Sequence, residues 1–131
     1  MDKVNVLGVK VGKYSIDSAA DRIVQYLKDG ERRKSVFTPN SEIIMMGYKD
    51  PEFCKLLNRA DILTADGIGV VYASRILKNP IETRAAGYDI ACEVLAKMAP
   101  LGMSVYLFGA KPGVAQTAAE NICKKYPGVV I

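Results

Sequence analysis

The sequence predicts an α/β domain: a mainly parallel sheet with helices on both faces, preceded by an N-terminal β-hairpin. Strand-like and helix-like patterns alternate from residue 35 to the end, as they do in parallel-sheet proteins. MSVYLFG (103–109) reads as the clearest buried strand. Three strand patterns run into turn residues, FTPNSE (37–42), LTADG (63–67) and LFGAKPG (107–113). In a parallel sheet such strand ends share the rim where ligands gather.

VNVLGVKVGKYSI (4–16) holds two β-rich pieces around Gly8 and Gly12 and reads as a hairpin whose turn is not a two-residue primed one. IDSAADRIVQYLKDG then places Ile16, Ala19, Ala20, Ile23, Val24 and Leu27 at helical spacing and closes at Gly30. KSVFTPN is a strand stopped by Pro39. SEIIMMGYKDPEFCKLLNRA is helical in two pieces, restarted at Asp50–Pro51, a cap followed by a first-turn proline. DILTA is the next strand and IGVVYASRILKN the next helix. PIETRAAGYD reads as a loop, and IACEVLAKMAPLG as a helix with Ile90, Val94, Leu95 and Met98 on one face. A last helix, entered through Pro112–Gly113, leads to VVI, the start of another strand.

The chain has 131 residues, 50% of them hydrophobic, which supports one globular domain with a sizeable core. Net charge is +4 with a pI near 9.0, a mildly basic balance that suits anionic partners. The basic run ERRK (31–34) reads as an exposed loop. A nucleic-acid partner is not expected, because no basic face interleaved with aromatics is present. The three cysteines, Cys54, Cys92 and Cys123, have no CxxC spacing and fall on apolar helical positions. They read as buried free thiols in a reducing compartment. No signal-peptide pattern opens the chain and no apolar stretch is long enough to span a bilayer. Histidine is absent, which removes the commonest general base and the commonest metal ligand.

Acid–base chemistry must therefore come from carboxylates, Lys, Tyr or Cys. Asp66 is the sharpest candidate, the only charged residue between Asp61 and Arg75. As a cap it would accept N–H bonds near Gly69 and stabilise by roughly 1 kcal/mol. As a base it would take a proton from an attacking hydroxyl, since carboxylates are ionised at neutral pH. The local pattern slightly favours the cap. Asn40 or Ser41 can cap the following helix, whereas Thr38, held out of that helix by Pro39, keeps its hydroxyl for a ligand. Arg84 reads first as a surface residue; at a rim it would suit a diphosphate through paired hydrogen bonds. Gly109–Gly113 fits either a phosphate cradle at a helix N-terminus or a plain strand–helix turn. No strict Asp-x-Asp pair is present, so no metal and no cofactor is expected.

Together, TPNSEIIMMGYKDPEF, ADILTADGIGVVYASR, ETRAAGYDI and VYLFGAKPGVAQTAAENICKKYPG resemble the WecG/TagA/CpsF family of bacterial glycosyltransferases. The resemblance covers nearly the whole chain. It implies a Rossmann-like fold and an inverting, metal-independent transfer of N-acetylmannosamine from UDP-ManNAc. The acceptor it implies is the C4 hydroxyl of GlcNAc on undecaprenyl diphosphate, giving the β1,4-linked disaccharide lipid of wall teichoic acid linkage-unit synthesis. It implies Asp66 as the catalytic base, with Thr38 in the catalytic set. Asn40, Gly67, Arg84, Gly87, Asp89, Gly109, Ala110, Lys111, Pro112, Gly113 and Gln116 fall on its substrate-binding positions. Ala86 and Tyr88 stand where typical members carry Thr and Ser. The family runs well past residue 131, so residues 1–131 are expected to be one glycosyltransferase domain truncated at its C-terminus. The missing segment is expected to make the peripheral contact with the cytoplasmic face of the membrane. A homodimer is compatible with the resemblance. The alternatives are a non-catalytic nucleotide-binding α/β module, or a family member using another UDP-sugar such as the uronic acid form.

Overall fold

The computed structural model describes residues 2–131. A hairpin of β1 (Lys3–Val6) and β2 (Val9–Gly12) is followed by α1 (Ile16–Lys28), β3 (Val36–Phe37), α2 (Ser41–Lys49) and α3 (Pro51–Asn58). Then come β4 (Ile62–Leu63), α4 (Ile68–Ile76), α5 (Gly87–Met98), a 3₁₀ turn (Ala99–Leu101) and α6 (Val114–Lys125). The class is α/β as expected.

β3 and β4 pair in parallel, Val36 with Ile62 and Phe37 with Leu63. Backbone bonds carry the pairing past the strand ends: Thr64 N–H donates to the Phe37 carbonyl and Asp66 N–H to that of Pro39. Side chains alternate across a strand, and here they enter two different cores. Leu63 joins Val4, Val9, Val11, Ile44, Leu57, Val70 and Val71, from the hairpin and α2–α4. Ile62 joins Ala19, Tyr26, Ala85 and Ile90, from α1, α5 and the segment before it. The pair is thus covered on both faces. Lys97 of α5 reinforces the second layer by pairing with Asp17 and Asp21 of α1, and those carboxylates raise its pKa above the usual lysine value.

Two local devices shape the hairpin. Its turn is the two-residue primed kind that the sequence reading excluded: Leu7 and Gly8 both have positive φ, 51° and 92°. Leucine at the first position hides the usual Asn-Gly signature, and the Asn5 side chain holds the turn by accepting from Gly8 N–H at 2.8 Å. On the open edge of β2, the Asn58 amide accepts from Lys10 N–H at 2.8 Å and donates to the Gly8 carbonyl at 2.9 Å.

The helix break at Asp50–Pro51 stands where expected, with the Asp50 carboxylate accepting from Glu52 and Phe53 N–H. Other expectations change. In α1, Tyr26 is buried and Leu27 exposed; Arg22 and Lys34 stack on the Tyr26 ring at 4.7 and 4.9 Å, which turns the inward face toward it. Only Cys54 and Cys92 are half-buried, and Cys123 is exposed, because α6 buries no residue.

The largest correction concerns 103–109. It forms no strand; its pairing is reduced to a parallel bridge, Ser104 with Val130, while Met103 and Val105 pack against the cluster of Val24, Met98 and Val129. Tyr106 is 86% and Phe108 94% exposed. An apolar run becomes a buried strand only when neighbours supply its ladder and cover its faces, and residues 103–109 have one bridging partner.

Candidate active site

The end of the β3–β4 pair gathers most of the residues singled out at the two rim segments. Asp66 lies three residues past the end of β4, and its backbone N–H is tied to the Pro39 carbonyl beyond the end of β3 at 3.2 Å. Its half-buried carboxylate accepts from Gly87 N–H at 3.1 Å through Oδ2. Oδ1 lies 3.9 Å from Arg84 Nε, too far for a hydrogen bond and within reach of a long ion pair. Asp66 therefore does not cap α4, as its place in the chain suggested. The N-cap of α4 is Gly67, with no side-chain bond; φ there is 109°, a conformation open to glycine. Asp66 instead anchors the N-terminus of α5, twenty-one residues on in the chain, where the helix dipole favours negative charge.

That anchor corrects the loop reading of 80–89. Gly87, Tyr88 and Asp89 form the first turn of α5, and the helix starts earlier than its local pattern indicates because its cap comes from a distant strand end. Gly87 is required for space: a Cβ on it would lie 2.6 Å from Thr38 Oγ1. Thr38 thus packs directly beneath the N–H that Asp66 holds. Asn40 caps α2, accepting from Ile43 N–H at 3.0 Å. Gly67 approaches the Asn40 side chain, so the starts of α2 and α4 flank the rim together. Asp89 is exposed in the first turn of α5.

Thr64 was not singled out from sequence. It is fully buried, and its hydroxyl donates to the Ala85 carbonyl at 3.0 Å. Ala85 N–H in turn donates to the Ala65 carbonyl at 2.9 Å. Two bonds thus dock the Arg84–Gly87 segment against the stretch that runs from β4 to Asp66. The signal was present: a hydroxyl inside an apolar strand must find a partner once buried.

The third expected strand end does not join them. Residues 109–113 are exposed. Their bonds are local, Val114 N–H to the Lys111 carbonyl and Thr117 to that of Gly113. Gly109 (φ 111°) and Gly113 (φ 88°) face open space, and Gln116 is exposed on α6. A cavity of about 470 Å³ is lined by Lys13, Tyr14, Ser15, Ser18 and by Pro80–Thr83, the residues leading into Arg84. The Asp66 carboxylate does not line it. Convergent polar groups, rather than concavity, mark the rim as the candidate site. Among the described residues, no three His, Cys, Asp or Glu side chains gather to hold a metal ion.

A carboxylate with one oxygen fixed by a backbone N–H, the other turned toward an arginine, matches the arrangement of an acid–base residue beside an anionic leaving group. The comparison with known families decides the lineage. The Glycosyl transferase WecG/TagA/CpsF family model matches residues 4–131. The chain belongs to this family. Among curated relatives, the N-acetylglucosaminyldiphosphoundecaprenol N-acetyl-beta-D-mannosaminyltransferase of Bacillus subtilis (strain 168) is 30% identical over 117 residues, 89% of this chain and 46% of the relative. The protein of the same name from Bacillus spizizenii is 30% identical over 120 residues, 88% of this chain and 47% of its own. That from Staphylococcus aureus (strain NCTC 8325 / PS 47) is 28% identical over 128 residues, 97% of this chain and 50% of its own. The chain thus spans about half the length of the curated relatives it matches. Among the described residues, no helix is long and apolar enough to cross a membrane.

Proposed function

We propose that this chain carries the catalytic rim of an N-acetylmannosaminyltransferase. The donor is UDP-ManNAc and the acceptor the C4 hydroxyl of GlcNAc on undecaprenyl diphosphate, met at the cytoplasmic membrane face. The observation that carries the reading is the Asp66 carboxylate, held by Gly87 N–H, with no hydrogen bond to its second oxygen among the described residues. The family match and the names of the relatives support the substrate class.

In this reading the transfer is one inverting displacement. Asp66 Oδ1 takes the acceptor proton as the acceptor oxygen bonds to the anomeric carbon from the face opposite UDP. The bond from that carbon to the diphosphate breaks, and UDP leaves with the electron pair. Arg84, exposed beside Asp66, and backbone N–H groups meet the charge that develops on the diphosphate. Thr38 and Gly87 set the height of the carboxylate, and Asn40 and Gly67 border the opening. The turn 109–113, with Gln116, stands apart from this rim and takes no part in the step as drawn. No divalent ion is invoked, since the chain has no Asp-x-Asp pair.

The test is UDP release from UDP-ManNAc that depends on added GlcNAc-diphospho-undecaprenol. Asp66→Asn should lower it by at least about 100-fold, the usual worth of a positioned base, with the melting temperature little changed. Near wild-type release by that variant would sink the assignment. Arg84→Ala should lower kcat/KM roughly tenfold, the scale of a lost charged hydrogen bond.

A further inference from the structure

Starting at the rim, α4 presents an apolar stripe to solvent. Ile68, Tyr72 and Ile76, one turn apart, are 55%, 54% and 81% exposed. Beside it, α2 contributes a second row. Ser41 packs against Gly69 of α4, and Met45 and Tyr48, four and seven residues on, continue that face and are exposed. A buried helix face would explain such a pattern, but the buried face of α4 is the other one, Val70, Val71 and Ser74.

The charge on this surface has one sign at its far end. Lys49 closes α2, Arg75 lies in the last turn of α4, and Lys78 follows that helix by two residues. Among the described residues none of the three is in an ion pair. Arg75 lies over the Tyr72 ring at 5.8 Å, within the apolar stripe. Asp50, next to Lys49 in the chain, is engaged by the N-terminus of α3, and Glu42 sits at the opposite end of α2. Two copies joined face to face with their α4 helices parallel would set these cations toward one another. A bilayer surface bearing anionic phosphates complements both halves of the pattern: phosphates meet Lys49, Arg75 and Lys78, while tyrosines and aliphatic side chains enter the interface.

We propose that the α2–α4 face, built on Ile68, Tyr72, Ile76, Met45 and Tyr48 with Lys49, Arg75 and Lys78, docks on an anionic membrane surface. Docking there lays the axis of α4 along the bilayer and sets its N-terminal end, where Asp66 stands, beside the headgroup layer. It places membrane contact within these residues. Its use rests on the lipid-linked acceptor proposed above, while its test does not.

The experiment is flotation of the chain with vesicles of phosphatidylcholine alone or with phosphatidylglycerol, containing neither polyprenyl lipid nor nucleotide. Recovery should require phosphatidylglycerol and fall with added salt. Arg75→Gln and Lys78→Gln should each lower partitioning roughly fivefold. The triple variant Ile68→Ser, Tyr72→Ser, Ile76→Ser should abolish recovery while keeping the melting transition, because these side chains are exposed. Phe108→Ser, at an exposed aromatic outside this face, should float like the parent. Equal recovery on both vesicle types, or loss in Phe108→Ser with the α4 variants unaffected, would overturn the proposal. So would a wild-type dimer on size exclusion that the triple variant dissociates, with no flotation. Vesicle binding without acceptor-dependent UDP release would leave the docking surface standing and remove the transferase reading; release without binding would do the reverse.

Discussion

β4 and the 103–109 segment begin as the same kind of sequence, an apolar run that enters a glycine turn and then a helix. β4 is closed on all sides. Ile62 and Leu63 enter opposite cores, its neighbour β3 supplies the ladder, and Thr64 and Ala65 bind the segment before α5. In 103–109 one bridge to Val130 is the whole of the pairing, and Tyr106 and Phe108 stand in solvent. The difference teaches that an apolar strand pattern states what a segment needs around it. Whether the need is met depends on elements elsewhere. It also separates the two expected halves of the ligand site: the half on β3–β4 is assembled, and the half on 109–113 is not tied to it.

Substitutions can break this contrast. Ile62→Ala should cost about 2–5 kcal/mol by opening a cavity between α1 and α5, whereas Phe108→Ala should stay within about 0.5 kcal/mol. Urea unfolding of the two variants reads both values, and similar costs would erase the distinction. Thr64→Val keeps the volume and strands the Ala85 carbonyl, so it should cost roughly 1–3 kcal/mol. It should also lower acceptor-dependent turnover, because the Gly87 N–H that holds Asp66 loses its mooring. Gly87→Ala drives a Cβ into Thr38 and should cost about 1–3 kcal/mol. Gly109→Ala meets no neighbour and should cost only about 1 kcal/mol, from backbone strain at its positive φ.

The smallest effect is a pH dependence at the opposite end of the pair. The Asp61 carboxyl is held below its usual value, first by the N–H of Ser35 and then by Lys34. A carboxyl lowered in the folded state stabilises above its unfolded value, near pH 4, and that contribution fades as pH falls through the folded value. Asp61→Asn should therefore flatten the acid limb of the stability curve below about pH 4. An unchanged limb would assign the acid sensitivity elsewhere.

What could be read in advance divides by range. The Asp50–Pro51 restart and the Asn40 cap of α2 depend on residues within a few positions, and local chemistry was enough. The start of α5 was misplaced because its anchoring carboxylate is Asp66, on another element. The primed turn was missed because Leu7 supplies a conformation usually left to Asn or Gly, with Asn5 compensating from outside the turn. The convergence of Thr38, Asp66, Arg84 and Gly87 followed from parallel strand ends sharing a rim. Thr64 was passed over because its partner, the Ala85 carbonyl, becomes visible only once the chain is folded.

The Asn58 clamp on β2 bears on colloidal behaviour. The outward-facing N–H of Lys10 and carbonyl of Gly8 would otherwise form a short unpaired edge, the kind of template on which a second chain can add a strand. One amide side chain occupies both positions, standing in for the missing strand without continuing the sheet. The hairpin can then be apolar on its inner face and still end there. Solutions of this protein should owe part of their resistance to clumping to a single asparagine at the end of a helix.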